Sequence, residues 1–290
     1  MENVTSPKAL AALMKKYNIA PLKRFGQNFL IDGNIAEKIA AAAAPGIGRV
    51  LEIGPGFGAL TQKLLARAEE LAAYEIDAGL YAALKNILST EVNFTLFHKD
   101  FLKADIEADL NKVFGRNNIF VAANLPYYIT SPCIMKLLES KLNIEMITVM
   151  VQKEVAERIC AGEGSRNFGA FSAAVGFFAE TKLLMRVSAS CFYPKPDVES
   201  AVVQLKRKIR SGVSADAYLK TVKILFAMRR KTVLSNLRKG LGIDKALAES
   251  VLKAAQIDSN LRAENLGVDD LIRISNVLSD RVEPVSDGLI

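Results

Sequence analysis

The sequence predicts an α/β fold with a doubly wound, mostly parallel sheet, followed by a small C-terminal all-helical domain. Three observations carry the prediction. Short apolar runs alternate with helical stretches from about residue 49 to 205, the pattern of βαβ units wrapped on both faces of one sheet. The first run turns through a glycine cluster, Gly54, Gly56 and Gly58, directly into a helical stretch, which is how a βαβ unit opens. From about Ser214 onward the apolar residues keep helical spacing, with no strand-like run among them.

A basic lead, residues 1–24, precedes an alanine-rich helix over 34–44 that Pro45 and Gly46 end. Residues 49–53 read as a strand and 59–68 as the helix after the glycine turn. Strand 71–75, helix 79–88 and strand 92–97 follow, and residues 119–123, 144–151, 181–187 and 201–205 complete the strand candidates. Tyr218, Val222 and Leu225, then Val233 and Leu237, start the helical region, which continues through 246–255 and 268–278. A boundary near residue 210 therefore divides an α/β domain, 25–210, from a helical domain, 211–290. No internal repeat is evident.

Charge is unevenly distributed. The 290 residues carry 38 Lys and Arg against 31 Asp and Glu, a formal +7. Residues 206–240 hold eleven basic residues and one acidic, Asp216, for +10, whereas 1–205 come to +1 and 241–290 to −4. So concentrated a block points to a polyanion partner. Cys133, Cys160 and Cys191 form no CxxC pair and are odd in number, which argues against a disulfide framework or a zinc site and for buried, reduced thiols. A single histidine, His98, makes a Ser-His-Asp triad improbable; a structural role is expected for it, and no metal. The longest uncharged run, 117–135, contains Pro126 and Pro132 and fits a strand and loop better than a span. A soluble, cytoplasmic monomer is expected.

Glycines suit a strand-to-helix turn where a ligand must approach the backbone. Gly54, Gly56 and Ala59 satisfy the dinucleotide pattern, and Glu75 lies 21 residues after Gly54, where a ribose hydroxyl would meet a carboxylate. An NAD enzyme is therefore one reading. Asp100 and Asn124, after the third and fourth strands, would stand at the same carboxyl edge of the sheet. A crevice lined by Glu75, Asp100 and Asn124 is acidic and offers no cation for a pyrophosphate. It favours S-adenosylmethionine, which carries ribose hydroxyls, an adenine amine, an ammonium and a sulfonium.

Asn124-Leu125-Pro126-Tyr127 is the sharpest motif. An adenine amine is a poor nucleophile because its lone pair is delocalised into the ring. Two acceptors, the Asn124 side-chain oxygen and the Leu125 carbonyl, would draw it toward a tetrahedral form. Pro126 stiffens the loop, and Tyr127 offers a face to a flipped base. With this motif the sequence resembles the amino-methyltransferases, and in its Asn-Leu-Pro-Tyr form the small-subunit rRNA adenine dimethyltransferases. The resemblance spans almost the whole chain: Phe25-Gly-Gln-Asn-Phe-Leu30, Glu52 to Gly58, Glu75, Asp100, Gln152-Lys-Glu154, the segment from Phe192 to Val203, Arg229-Arg-Lys231 and Arg262 to Leu266. Phe168-Gly169, where relatives often carry Tyr-Gly, departs from it.

The resemblance implies a Rossmann-like class I methyltransferase using S-adenosylmethionine. Asn28 and Leu30 would close over the cofactor with support from Gln27, Gly54 and Gly56 would lie against it, Glu75 would take the ribose and Asp100 the adenine amine. Phe192 would cover the target base opposite Tyr127. The implied product is N6,N6-dimethyladenosine at two adjacent adenosines in the 3′-terminal hairpin of small-subunit rRNA, within the immature 30S subunit. Arg24, Lys153, Lys220, Lys223, Arg229, Arg230, Lys231 and Arg238 are the candidate RNA contacts. Lys220, Lys231 and Arg238 would share one face if their helix is continuous. A large-subunit rRNA adenine methyltransferase of the macrolide-resistance type, or a non-catalytic assembly or transcription factor of the same fold, are the alternatives.

Overall fold

A computed structural model describes residues 4–22, 26–44, 46 and 48–281. It divides into two compact units, one of Met1–Ala156 and Ala179–Arg207 and one of Glu157–Phe178 and Lys208–Ile290. The chain thus enters the helical unit twice. Residues 157–178, which the sequence grouped with the α/β domain, pack among the helices: Tyr218 stacks on Phe177 at 4.2 Å and its hydroxyl donates to the Ala173 carbonyl at 3.0 Å.

Among the described residues the first unit is built on nine strands. Seven form one sheet: β2 (Gly48–Ile53), β3 (Ala68–Glu75), β4 (Phe94–His98), β5 (Ile119–Asn124), β6 (Ile144–Gln152), β7 (Ala179–Val187) and β9 (Ser200–Arg207). Their order is β4-β3-β2-β5-β6-β9-β7, with β9 antiparallel to both neighbours and the other pairs parallel. Val50 and Leu51 of β2, Leu71 to Ala73 of β3 and Val121 to Ala123 of β5 are fully buried, as strands covered on both faces require. Strand order reverses between β2 and β5, so their carboxyl ends open the cleft where α/β sheets bind ligands. β1 (Phe29–Leu30) and β8 (Phe192–Tyr193) pair separately, Phe29 with Tyr193 and Leu30 with Phe192.

Several helices have readable causes. α2 (Gly33–Ala43) starts at Asp32, whose carboxylate accepts from the Asn34 and Ile35 N–H groups, and buries Ala36, Ile39, Ala40 and Ala43 at helical spacing. The helix expected over 59–68 is only five residues, α3 (Thr61–Leu65), because β3 already begins at Ala68. α4 (Ala78–Ile87) is capped by Asp77. α5 (Ile106–Phe114) and α6 (Thr130–Glu139) follow β4 and β5. The basic lead contains an unforeseen helix, α1 (Pro7–Tyr17), capped by Ser6 and opened by proline. Its Leu10 and Leu13 pack with Phe29, Phe57 and Leu80. α7 (Lys153–Ile159) and α8 (Ala170–Phe178) complete the run before β7.

The helical unit also contains α9 (Ala215–Leu225), α10 (Val233–Leu241), α11 (Lys245–Ala254) and α12 (Val268–Arg281). α9 and α10 are separate helices, so the single continuous face expected for Lys220, Lys231 and Arg238 does not exist. Buried Asn236 exchanges two hydrogen bonds with the Met228 backbone and thereby fixes the turn that carries Arg229, Arg230 and Lys231. Phe168 is buried against Phe226. Among the described residues no helix is long and apolar enough to cross a membrane.

Candidate active site

The carboxyl ends of β2, β3, β4 and β5 surround a cavity of about 220 Å³, lined by the glycine turn, Glu75, Asp100 and Asn124 to Tyr127. α1 and β1 supply part of its wall through Leu10, Phe29 and Leu30. Gly54 follows β2 directly at φ 69°, a conformation that disfavours a side chain, and a Cβ built there would meet nothing within 4 Å. Space is therefore open against this backbone. Gly56, at φ 58°, is held differently: its N–H donates to Glu75 Oε2 at 3.2 Å.

Glu75 is only 4% exposed. Its other oxygen accepts from the Asp77 N–H at 2.9 Å. Burial pushes its carboxyl up to about 7, against the pull of these backbone donors. Glu52, one strand away in β2 and 1% exposed, is pushed up to about 8 by burial; the Thr61 hydroxyl opposes this and the Glu75 charge reinforces it. Glu52 Oε2 has no hydrogen-bond partner among the described residues. A buried acceptor without a donor is costly, and Glu52 belongs to the cavity wall.

Asp100 stands in the loop after β4 with Oδ1 accepting from the Leu102 N–H at 2.9 Å and the side chain 30% exposed. Lys99 also lines the cavity, but its ammonium is committed to Asp109 at 2.6 and 2.7 Å, and Asp109 in turn accepts from the Tyr74 hydroxyl. The cleft thus contains a lysine the sequence did not assign to it, already neutralised.

The Asn124 amide is oriented from a distance. Its Nδ2 donates to the Asn28 carbonyl at 3.0 Å, while Asn28 Nδ2 donates to the Gly26 carbonyl at 3.2 Å. With its nitrogen so engaged, Asn124 keeps its oxygen for an incoming donor. Leu125 is buried and its N–H donates to the Met150 carbonyl at 3.1 Å. After Pro126 the chain makes a short 3₁₀ turn, Tyr127–Ile129, and the Tyr127 hydroxyl meets Ser200 Oγ at 3.0 Å. Gln27 Oε1 accepts from the Leu22 N–H at 2.8 Å, tying the segment before β1.

Phe192 requires a correction. It is 3% exposed, packs in the core with Leu30, Val187 and Val202, and does not line the cavity. Alternation along β8 turns Phe192 inward and leaves Tyr193 exposed. His98 stacks on Tyr81 at 4.8 Å, outside the cavity lining. Of the three thiols only Cys133 is buried; Cys160 and Cys191 are partly exposed, so the expectation of three buried thiols holds for Cys133 alone.

The candidate RNA contacts fall into two groups. Lys153 pairs with Glu199 at 2.9 Å, and Arg229 with Glu264 at 3.1 Å and the Arg166 carbonyl at 2.7 Å. Lys220, Lys223, Arg230, Lys231 and Arg238 are exposed and, among the described residues, form no ion pair. Arg24, like Phe25, lies outside the described residues. Glu52 is a functional candidate to which the sequence pattern assigns no role; a carboxylate inside the apolar run Val-Leu-Glu-Ile is its one signal there.

A sheet with one reversed strand beside its edge, an acidic cleft at the reversal of strand order and Asn-Leu-Pro-Tyr at its rim together define a Rossmann-like methyltransferase. Residues 21–280 match the ribosomal RNA adenine dimethylases, and the chain belongs to that family. It is 40% identical over 287 residues to the ribosomal RNA small subunit methyltransferase A of Alkaliphilus oremlandii, covering 97% of this chain and 100% of that one. The protein of the same name from Shouchella clausii is 41% identical over 284 residues, 96% of each chain. Among solved structures, a dimethyladenosine transferase from Plasmodium falciparum matches at a TM-score of 0.76 and 26% identity, covering 87% of this chain and 98% of that one. The 23S rRNA methyltransferase ErmE matches at 0.65 and 26%, covering 87% and 99%.

Proposed function

We propose that the protein methylates the exocyclic amines of two adjacent adenosines in the 3′-terminal hairpin of small-subunit rRNA, giving N6,N6-dimethyladenosine, with the immature 30S subunit as its substrate. The orientation of Asn124 carries this reading. Its amide nitrogen is held by the Asn28 carbonyl, which leaves an oxygen to accept from an adenine amine.

The cleft fits S-adenosylmethionine on two features of its own: the open side of Gly54 and the buried, unpartnered oxygen of Glu52. Glu75 would hold the ribose hydroxyls, Asp100 the adenine amine, and Asn28, Leu30 and Gly56 the remaining wall. When bound, the cofactor supplies an electrophilic methyl group on a sulfonium. Asn124 Oδ1 and the Leu125 carbonyl accept the two N–H bonds of the target amine and pull its lone pair out of the ring. Tyr127 stacks on the base, a contact worth about 1–3 kcal/mol, and its bond to Ser200 keeps the ring in place. No strong base is required, because the alkylated amine is acidic enough to release its proton to water. Fixing the amine on the methyl transfer axis supplies most of the rate.

RNA would be gripped through phosphates by the exposed, unpaired group Lys220, Lys223, Arg230, Lys231 and Arg238. Lys153 and Arg229 would first have to leave their carboxylates. The test is tritiated methyl transfer to immature small subunits and to naked rRNA, with primer extension across both rRNAs to locate the product. Asn124→Ala should abolish transfer while S-adenosylhomocysteine affinity stays within about threefold; equal activity of the variant and its parent refutes the mechanism.

A further inference from the structure

The wall that presents Asp100 is thin. Leu102 lines the cofactor cavity on one side and an open groove on the other, shared with Ala104, Met135 and Lys136. Within the loop, backbone N–H groups of Lys103 and Ala104 turn back onto the Asp100 carbonyl at 3.1 and 2.9 Å. Phe101 is buried against Tyr74 at 5.5 Å. Two further carbonyls are caught from outside. Lys136 Nζ donates to Leu102 O at 2.8 Å and to Ala104 O at 2.7 Å, and lies 5.7 Å from the centroid of the Phe101 ring. A charged donor to two carbonyls is a strong tie, and the aromatic ring adds to it.

Lys136 belongs to α6, which begins immediately after the Tyr127–Ile129 turn of the target-binding motif. It forms no ion pair among the described residues. Asp100 also faces this helix: its charge helps push the Cys133 thiol, one turn before Lys136, up to about 12, after burial. One rigid helix therefore touches both halves of the site, the motif for the target base at its start and the cofactor wall one and a half turns later.

We propose that Lys136 is a positioning residue for cofactor recognition: by tying the Leu102 and Ala104 carbonyls to α6, it sets Asp100 at the height of the adenine amine. The proposal rests on the assignment of Asp100 to that amine. Removing the ammonium releases the loop between two open spaces, so Asp100 loses its fixed position while Asn124 to Tyr127 keep theirs. Cofactor affinity and selectivity then suffer and turnover at saturation does not.

The experiment measures binding of S-adenosylhomocysteine and of S-inosylhomocysteine, which replaces the amine with a carbonyl, to the parent, Lys136→Met, Lys136→Gln, Lys136→Arg and Asp100→Ala. The parent should favour the adenosyl ligand by about tenfold or more, the range of a hydrogen bond to a charged group. Lys136→Met should lose most of that preference, Lys136→Gln part of it and Lys136→Arg little. Saturating S-adenosylmethionine should restore the kcat of Lys136→Met to within about twofold of the parent, with the loss confined to KM. Should Lys136→Met fold poorly, Lys136→Gln reads the same preference. Full discrimination in the Lys136 variants alongside its loss in Asp100→Ala overturns the strut. Discrimination retained in Asp100→Ala overturns the Asp100 assignment, and the proposal with it.

Discussion

Cofactor binding should release protons, and its affinity should climb steeply with pH. Glu75 and Glu52 are buried carboxyls raised to about 7 and about 8 in the ligand-free cleft. A ligand that brings ribose hydroxyls and an ammonium favours their ionised forms, so each proton bound beforehand must leave. Between pH 7.5 and 6.0 the resulting loss of affinity is on the order of tenfold from each carboxyl, together on the order of 100-fold. Below pH 7.5 the ligand's own ammonium stays largely charged. Titration calorimetry with S-adenosylhomocysteine, in buffers of different ionisation enthalpy, reads both affinity and proton release. Near pH 7 the parent should release about one proton or more, and Glu52→Gln fewer. A dissociation constant that moves less than about threefold over this range, with no proton release, refutes the reasoning. The sign for stability is the reverse: folded values raised above the ordinary carboxylate range stabilise the ligand-free protein in acid. That contribution is lost as pH rises through about 7 and 8.

Two further outcomes follow from the geometry. Gly54→Ala places a Cβ into open cleft at φ 69°, so S-adenosylhomocysteine affinity should fall at least about tenfold while thermal unfolding shifts by only a few degrees, the strain being on the order of 1 kcal/mol; unchanged affinity in isothermal titration would count against Gly54 as a cofactor contact. Arg230→Ala with Lys231→Ala should flatten the salt dependence of RNA binding, lowering the slope of log K against log salt by about 1.5, and leave cofactor affinity intact. Arg229→Ala should instead lower the unfolding temperature, because that guanidinium ties Glu264 to the Arg166 carbonyl.

Much of the site was legible because it depends on where strands end. Glu75, Asp100 and Asn124 each close or follow an apolar run, and parallel strands bring their carboxyl ends to one edge whatever lies between. The glycine turn and Asn-Leu-Pro-Tyr are contiguous, so their chemistry could be read residue by residue. Charge segregation was equally plain, although the loop between α9 and α10 removed the continuous basic helix face.

Tertiary structure decided what contiguous sequence cannot encode. Asn124 receives its orientation from the carbonyl of Asn28, 96 residues away. Phe192 is a core residue because β8 pairs with β1, a two-residue ladder too short to carry a periodic signal. Residues 157–178 join the helical unit through the buried stack of Phe177 on Tyr218. Burial raises Glu52 and Glu75 only once seven strands have excluded water from the cleft, and Lys136 reaches the Asp100 loop from a helix more than 30 residues on. Local periodicity and motif determined which groups the protein carries; long-range pairing and desolvation determined how they point and whether they hold a charge.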